Sequence, residues 1–399
     1  LVLRNNYLQS LAISLTERKG TANGLELARL MTVLEGAKQL NRKVETLPDE
    51  AALAERYAAG KPLTRAEIGV LLSYAKIVLF DALVASPLPD DSYFATTLAQ
   101  YFPARMQKSN PGDIASHRLR REIIATVLAN EAINRGGPAF VVNMMDATAA
   151  SAPDVVRAAI VARDGFDLAQ LWAEADGLDN KISGRMQNRI YEEIGFVFTV
   201  LTRLLLKTTM VKGEVSDVIA RIQAAFKQLK PLLASQPSPE IAARCSEYLQ
   251  AGVPEKLARE IAGLSSFALV PEIMQIADRT GAPLTRAAES YFAVSQTFRV
   301  ESLLAAGGRI VTPDHYENLA LARSIDQIAS SRRDIAIAAL ANHGKEKRPV
   351  QAWHAEDRVR INRIAEELSG LSDSGEPNLA RITVAAGLLT DLARDVGRR

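Results

Sequence analysis

The sequence predicts an all-α protein, an irregular multi-helix array that includes a helical bundle. Apolar residues recur three and four positions apart through most of the chain, which is the period of an amphipathic helix. The strict alternation of apolar and polar residues that is typical of strands is nearly absent. Glycine, proline and short polar residues cluster between the periodic segments, so turns are expected between helices rather than inside them.

The first clear helix is predicted over residues 63–83. Thr64 and Glu67 have the spacing of a capping box, in which the hydroxyl accepts a free backbone N–H and the carboxylate reaches back to the helix start. The helix should end before Pro87, because proline cannot continue it. One apolar stripe runs along this helix and comprises Ile68, Leu71, Leu72, Ala75, Leu79 and Leu83.

A second amphipathic helix is predicted over residues 113–135, where Leu119, Ile123 and Val127 share a face and Gly136-Gly137-Pro138 follows as a stop signal. Further helices are predicted over residues 153–175, 181–207, 214–230, 284–306 and 312–342, the last with Thr312 as N-cap and Pro313 at its first position.

Turn clusters divide the chain unevenly. The first 150 residues are broken into shorter elements, whereas residues 151–399 contain longer helices with short connections, as in antiparallel bundles. We therefore predict two helical subregions, 1–150 and 151–399. The chain begins at Leu1 without a methionine and within a helix-like apolar segment, so we expect a piece of a longer protein.

The charge balance excludes some partners. The net charge is +2, from 48 basic and 46 acidic residues, which gives no long-range field toward nucleic acid or anionic lipid. No window approaches the roughly 18 uncharged apolar residues that a membrane span needs. The single cysteine, Cys245, cannot close an internal disulfide. We expect a cytoplasmic protein without nucleic-acid or membrane partners.

The sequence lacks the common motifs of nucleotide-binding, metal-binding and hydrolase sites. The sequence contains neither GxGxxG nor GxxxxGK[ST], its four histidines form no HExxH, and it contains no GxSxG elbow. We therefore predict no catalytic, cofactor-binding or metal-binding residue in this chain.

Two polar groupings predict a docking face instead. In the first, His117, Arg121 and nearby Arg120 would point roughly one way on a helix, and two asparagines follow four residues apart. Arginine forks also suit an anion-recognition site, while a solvated face with locally paired charges would give the same pattern. In the second, paired amides precede an aromatic residue. The predicted docking face comprises Asn5, Asn6, Tyr7, His117, Arg118, Arg121, Asn130 and Asn134.

Four long strings carry a family resemblance: LVLRNNYLQSLAISL (1–15), AAGKPLTRAEIGVLLSYAKIVLFDALVASPLPDD (58–91), YFP (101–103) and HRLRREIIATVLANEAINRGGPAFV (117–141). They resemble the C-terminal part of the large bacterial NAD-dependent glutamate dehydrogenases. The resemblance implies a parent that oxidatively deaminates L-glutamate to 2-oxoglutarate and ammonia with NAD as cofactor. It also implies that residues 1–150 follow a catalytic core that carries the dinucleotide fold.

The resemblance transfers no catalytic or NAD-binding residue to this chain, because the substrate-lysine motif and the dinucleotide fingerprint of the family have no match here. Lys76 lies in a predicted helix without the glycine context of the catalytic lysine. We therefore expect no dehydrogenase activity from residues 1–399 alone. The expected partners are the parent's own catalytic core and other subunits of a homo-oligomer.

Three functions stay open at this stage. The first is a non-catalytic scaffold for core docking, oligomerisation or regulation. The second is a helical module that binds a small effector such as an amino acid, and the third, an independent enzyme, has no visible nucleophile, base or metal set to support it.

Overall fold

The computed structural model describes residues 2–208, 210–236, 239–310, 315–373 and 376–397, and these ranges contain helices and their connections without a strand. This confirms the predicted all-α class. The chain divides into two compact units. The first comprises Leu1–Phe226 and Ala234–Ala268, and the second comprises Lys227–Leu233 and Leu269–Arg399.

The first unit is organised around α4 and α8, which pack together, and around α10 and α12, which form a second closely packed pair. Helix α1 lies on both α4 and α8. The helices up to the end of this unit, with α13 shared between the units, are α1 (Val2–Arg18), α2 (Gly24–Gly36), α3 (Glu50–Ala58), α4 (Arg65–Val84), α5 (Ala95–Tyr101), α6 (Ala104–Ser109), α7 (Pro111–Ala115), α8 (Arg120–Gly136), α9 (Phe140–Thr148), α10 (Ala152–Gly165), α11 (Leu168–Asp176), α12 (Gly184–Lys207), α13 (Val215–Ala234), α14 (Pro239–Gln250) and α15 (Glu255–Ala262).

The second unit is organised around its longest helix, α19. The helices of this unit are α16 (Leu269–Thr280), α17 (Leu284–Phe298), α18 (Val300–Gly308), α19 (His315–His343), α20 (Pro349–Glu356), α21 (Arg358–Asp373) and α22 (Leu379–Gly397). Helix α19 packs against α16, α17, α18, α20 and most extensively α22. The predicted cap at Thr312 and Pro313 lies outside the described residues.

Helix α4 confirms the local prediction in detail. All six residues of the predicted stripe are buried, and the helix ends at Val84, before Pro87. The capping box is complete, because Thr64 Oγ1 accepts the backbone N–H of Glu67 and the Glu67 carboxylate accepts the backbone N–H of Thr64. Arg56 adds an ion pair to Glu67 at 2.7 Å.

We expect Thr64→Ala to lower the free energy of unfolding of the chain by about 1 kcal/mol, because it removes one half of this capping box. Thr126→Ala is the matched control, since that exposed hydroxyl only bonds a carbonyl of its own helix. Thermal unfolding of both variants measures the difference. Equal melting temperatures would show that the box does not stabilise α4.

Three predicted helices are each interrupted, so their predicted continuity is wrong. The 113–135 segment breaks between α7 and α8, where His117 Nδ1 accepts the backbone N–H of Leu119. The 153–175 and 284–306 segments break at Asp167 and Arg299, whose φ angles of 55° and 49° are left-handed. Apolar periodicity runs across these breaks because the helices on either side all bury residues in the core.

The division predicted at residue 150 falls inside the first unit. Helix α10 begins just after that position and packs against α4, α8, α9 and α12. Contacts across residue 150 are therefore extensive, and the two compact units separate elsewhere in the chain.

Candidate docking site

Helix α1 packs on α4 and α8 through its middle and C-terminal turns. Its buried residues are Leu8, Ala12 and Thr16. Leu11, Ile13 and Leu15 are half-buried, whereas the first turns face solvent, with exposed fractions of 74% for Val2, 85% for Leu3 and 45% for Tyr7. The first turns of α1 therefore contribute little apolar burial, and polar contacts help to position them.

A tyrosine pair and a carboxylate form the main polar contact. The Tyr7 and Tyr191 hydroxyl oxygens lie 2.9 Å apart. Tyr191 donates to Asp176 Oδ1 at 2.7 Å, and Tyr7 donates to the same oxygen at 3.3 Å. This group joins α1 to α11 and α12. Burial, with the nearby carboxylate, raises the pKa of both tyrosines, so they stay protonated and serve as donors.

Two further polar contacts flank the tyrosine pair. Asn134 Nδ2 on α8 donates to Asn5 Oδ1 at 3.0 Å, and Asn134 is 6% exposed. At the other end of α1, Arg18 pairs with Glu192 at 2.9 Å. We name Asn5, Tyr7, Asn134, Asp176 and Tyr191 the α1 seat.

The α1 seat rests on a buried arginine. Arg135 Cζ lies 4.2 Å from the centre of the Trp172 ring, and Glu131 lies near the same guanidinium, with N and O atoms 3.5 Å apart. Burial lowers the pKa of Arg135 against the opposing effect of Glu131 and Asp176. The guanidinium therefore lies against an aromatic face of α11, with one nearby carboxylate on α8 and one on α11.

The predicted arginine grouping lies at the opposite end of α8. Arg121 donates to the backbone oxygens of Val84 and Ser86 at 2.8 and 2.9 Å, and it pairs with Asp90. Arg120 pairs with the same carboxylate at 3.0 Å. These contacts brace the C-terminal end of α4, where backbone carbonyls lack helical partners.

His117 and Arg118 precede α8, so the expected alignment of His117 with Arg121 on one helix is wrong. The His117 ring packs beside Phe102, with ring centres 5.4 Å apart, and Arg118 is exposed. Along α8, Arg121 and Asn134 are separated by about 20 Å at 1.5 Å per residue. The predicted docking face therefore consists of two separate groups, with Asn130 on α8 one turn before Asn134 and Asn6 exposed on α1.

Sequence reasoning missed Asp176 and Tyr191 because they lie 169 and 184 positions from Tyr7. One weak signal was present. Tyr191 places a hydroxyl within the buried stripe of α12, between Ile190 and Ile194, and a buried hydroxyl needs a hydrogen-bond partner.

A small groove lies between α5, α7 and α8, with a volume of about 210 Å³. Its polar lining includes Asp90, Asp91, Gln107 and Arg120. Asp91 accepts the backbone N–H groups of Tyr93 and Val215 at 3.0 and 3.3 Å, so both carboxylates already have partners in the chain.

The described ranges contain neither a candidate metal cluster nor a candidate membrane-spanning helix. No group of three or more His, Cys, Asp or Glu side chains there could hold a metal ion. Within the same ranges, every helix is too short or too polar to cross a membrane.

The fold defines the class of the chain: it is an all-α domain of many packed helices, whose first helix is positioned by the α1 seat. Residues 60–391 match the model of the family described as glutamate dehydrogenase, C-terminal, and the chain belongs to that family. The resemblance found in the sequence is thereby confirmed.

Three similar proteins are each called NAD-specific glutamate dehydrogenase. The one from Pseudomonas aeruginosa is 32% identical over 99% of this chain, that from Halomonas elongata 31% over 98%, and that from Mycobacterium tuberculosis 27% over 100%. The chain spans 25% of the length of each of these relatives.

Proposed function

We propose that this chain is the C-terminal helical domain of a cytoplasmic NAD-dependent glutamate dehydrogenase and serves as a non-catalytic scaffold. The parent would oxidise L-glutamate to 2-oxoglutarate and ammonia while reducing NAD, with NAD bound by its catalytic core. The names of three relatives that match nearly all of this chain support this proposal. The scaffold would dock on the catalytic core of its own parent chain and contribute to contacts between subunits.

One observation carries the docking role. Helix α1 is oriented by the hydrogen bonds of the α1 seat, while Val2, Leu3 and Tyr7 leave apolar area in solvent. Hydrogen bonds fix direction, and exposed apolar area on a fixed helix suits a partner surface. We assign the catalytic core as the partner of this face.

The test uses the full-length parent enzyme. Val2→Asp with Leu3→Asp should lower glutamate-dependent NADH formation at least tenfold, because it places two charges in the proposed contact. Val44→Asp is the control, since Val44 is also exposed, at 73%, but lies outside α1. Full activity of the double variant would contradict core docking by α1.

The predicted arginine grouping needs a separate test, because Arg118 and Arg121 differ in the structure. Arg121 braces α4, so its replacement would report on folding. Arg118 is exposed, so its replacement tests docking without removing a contact that supports the fold. If Arg118→Ala leaves parent activity and assembly unchanged, the docking role of this grouping is abandoned.

A mixing experiment tests whether the chain is a scaffold without its own activity. This chain and the remainder of the parent are expressed separately, and co-elution and NADH formation are followed after mixing. We expect no NADH formation from this chain alone and recovery of activity on mixing. An upstream piece that is fully active alone and never associates with this chain would contradict the scaffold role.

The second candidate function is the binding of a small effector such as an amino acid. The groove between α5, α7 and α8 favours it, since Arg120 and Gln107 lie beside carboxylates there. The volume of about 210 Å³ is below the roughly 300 Å³ at which ligand pockets begin. A rise in melting temperature with millimolar L-glutamate that disappears in Gln107→Ala would support it.

A further inference from the structure

Lys76 occupies an unusual place for a lysine. It lies on α4 against α1, is half-buried, and donates from Nζ to the amide oxygen of Gln9 at 3.1 Å. No acidic side chain of the described residues lies within 4.0 Å of its Nζ. A buried ammonium normally has a carboxylate partner, so this amine is held by a neutral amide alone.

The surroundings leave the amine reachable. Ser73 and Ile77, which precede and follow Lys76 on α4, are exposed, and Ile77 keeps 52% of its area in solvent. Lys76 itself is only half-buried, so part of its side chain stays in solvent. At the far end of the seam between α1 and α4, the charges of Glu17 and Arg65 pair with each other at 3.4 Å.

We propose that Lys76 is a site of covalent acylation by small acyl phosphates. The Nζ lone pair attacks the acyl carbonyl carbon, an N–C bond forms, and the C–O bond to phosphate breaks. The phosphate leaves with the electron pair, and the nitrogen releases its proton to water. No oxidant, reductant or metal ion is required, and this inference is independent of the proposed docking role.

Acylation would keep the hydrogen bond of the site and remove its charge. An amide nitrogen keeps one N–H, which can still donate to Gln9 Oε1, and acylation removes the charge that burial disfavours. Burial also lowers the pKa of Lys76 to about 8. About a quarter of the amine is then uncharged at pH 7.5, against about one in a thousand for an ordinary lysine.

The experiment treats the folded chain with acetyl phosphate at pH 7.5 and follows each lysine by peptide mass spectrometry. Lys76 should react about tenfold faster than the exposed Lys61 and Lys108, since its larger free-amine fraction outweighs its lower basicity. A rate at Lys76 equal to or below that of the two exposed lysines would overturn the proposal.

A second measurement compares the charged and neutral states of the site. Lys76→Gln, which resembles the acylated side chain, should melt about 3 °C above Lys76→Arg, which keeps a permanent charge in the seam. The reverse order would show that the seam favours a cation and would also overturn the proposal. The labelling experiment uses the unchanged protein, so it decides the question even if one variant fails to fold.

Discussion

Arg332→Met is expected to lower the free energy of unfolding of the second unit by about 3–5 kcal/mol, because it leaves a buried carboxylate without its cation. Arg332 is 2% exposed and pairs with Glu272 at 3.0 Å, and Glu272 is 6% exposed. These residues join α19 to α16. The variant leaves Glu272 with the Tyr291 hydroxyl, which donates to it at 2.6 Å.

The rest of this cluster explains the size of the effect. Arg332 also pairs with Glu301 at 2.5 Å, and its Cζ lies 4.2 Å from the centre of the Tyr291 ring. Burial alone would lower the pKa of Arg332, but the carboxylates of Glu272 and Glu301 outweigh burial and raise it. Burial raises the pKa of Tyr291 as well, so its hydroxyl stays protonated. One guanidinium therefore connects four helices: α16, α17, α18 and α19.

The measurement is urea denaturation of each variant, with Arg279→Met as the matched control. Arg279 also pairs with a carboxylate on α19, Asp334, but at 3.8 Å and with side chains 57% and 46% exposed. Surface pairs of this kind contribute about 0–1 kcal/mol. Similar losses in Arg332→Met and Arg279→Met would contradict the buried-cluster account.

A double variant tests whether the two charges act as one unit. Arg332→Met with Glu272→Met removes both charges together, so its loss of stability should be smaller than the sum of the single losses. It should not return to the original value, because the buried Tyr291 hydroxyl then lacks its acceptor. A double loss equal to the sum would mean that the charges are not coupled.

The contrast between α4 and this cluster shows what the sequence could predict. The stripe, cap and end of α4 depend on residues within about one helix length, and all three were found in the sequence. Arg332 and Glu272 are 60 positions apart, and each looks like an ordinary surface charge in its own helix. Their burial depends on how α16 and α19 pack, which no local pattern encodes.

The helix breaks were missed for a related reason. Asp167 and Arg299 adopt left-handed backbone angles without glycine, so the usual signal for a helix end is absent at both positions. Tertiary packing holds these turns, because the helices on both sides bury their apolar faces. For the α1 seat, the sequence predicted Asn5, Tyr7 and Asn134 as polar contact residues, but the partners of Tyr7 come from distant helices.

Gly136 closes α8 at a position where a side chain has no room. A Cβ atom there would lie 2.2 Å from Phe140 Cγ and 2.6 Å from Phe140 Cβ. Both are atoms near the backbone, so a rotation of the ring cannot relieve the clash, and the Phe140 backbone itself would have to move. The next residue, Gly137, has a φ of 91°, which only glycine adopts readily, and this fixes the turn into α9.

Phe140 cannot move without disturbing the core. It is 3% exposed and stacks on Phe198 with ring centres 5.2 Å apart, and Phe198 in turn packs edge-on against Trp172 at 5.5 Å. Trp172 supports Arg135 beneath the α1 seat. A shift of Phe140 is therefore transmitted through an aromatic row to the base of the candidate docking site.

We expect Gly136→Ala to lower the free energy of unfolding of the first unit by about 3 kcal/mol, as for a strongly overpacked core. Gly69→Ala is the control in the same unit: Gly69 lies within α4, and its added Cβ would meet Ile13 Cδ1 at an ordinary 3.8 Å. Alanine there should raise the free energy of unfolding by about 0.5–1 kcal/mol, because it restricts the unfolded chain and favours the helix. Urea midpoints of the two variants should therefore shift in opposite directions, and a Gly136→Ala midpoint equal to that of the unchanged chain would show that Phe140 can yield without cost.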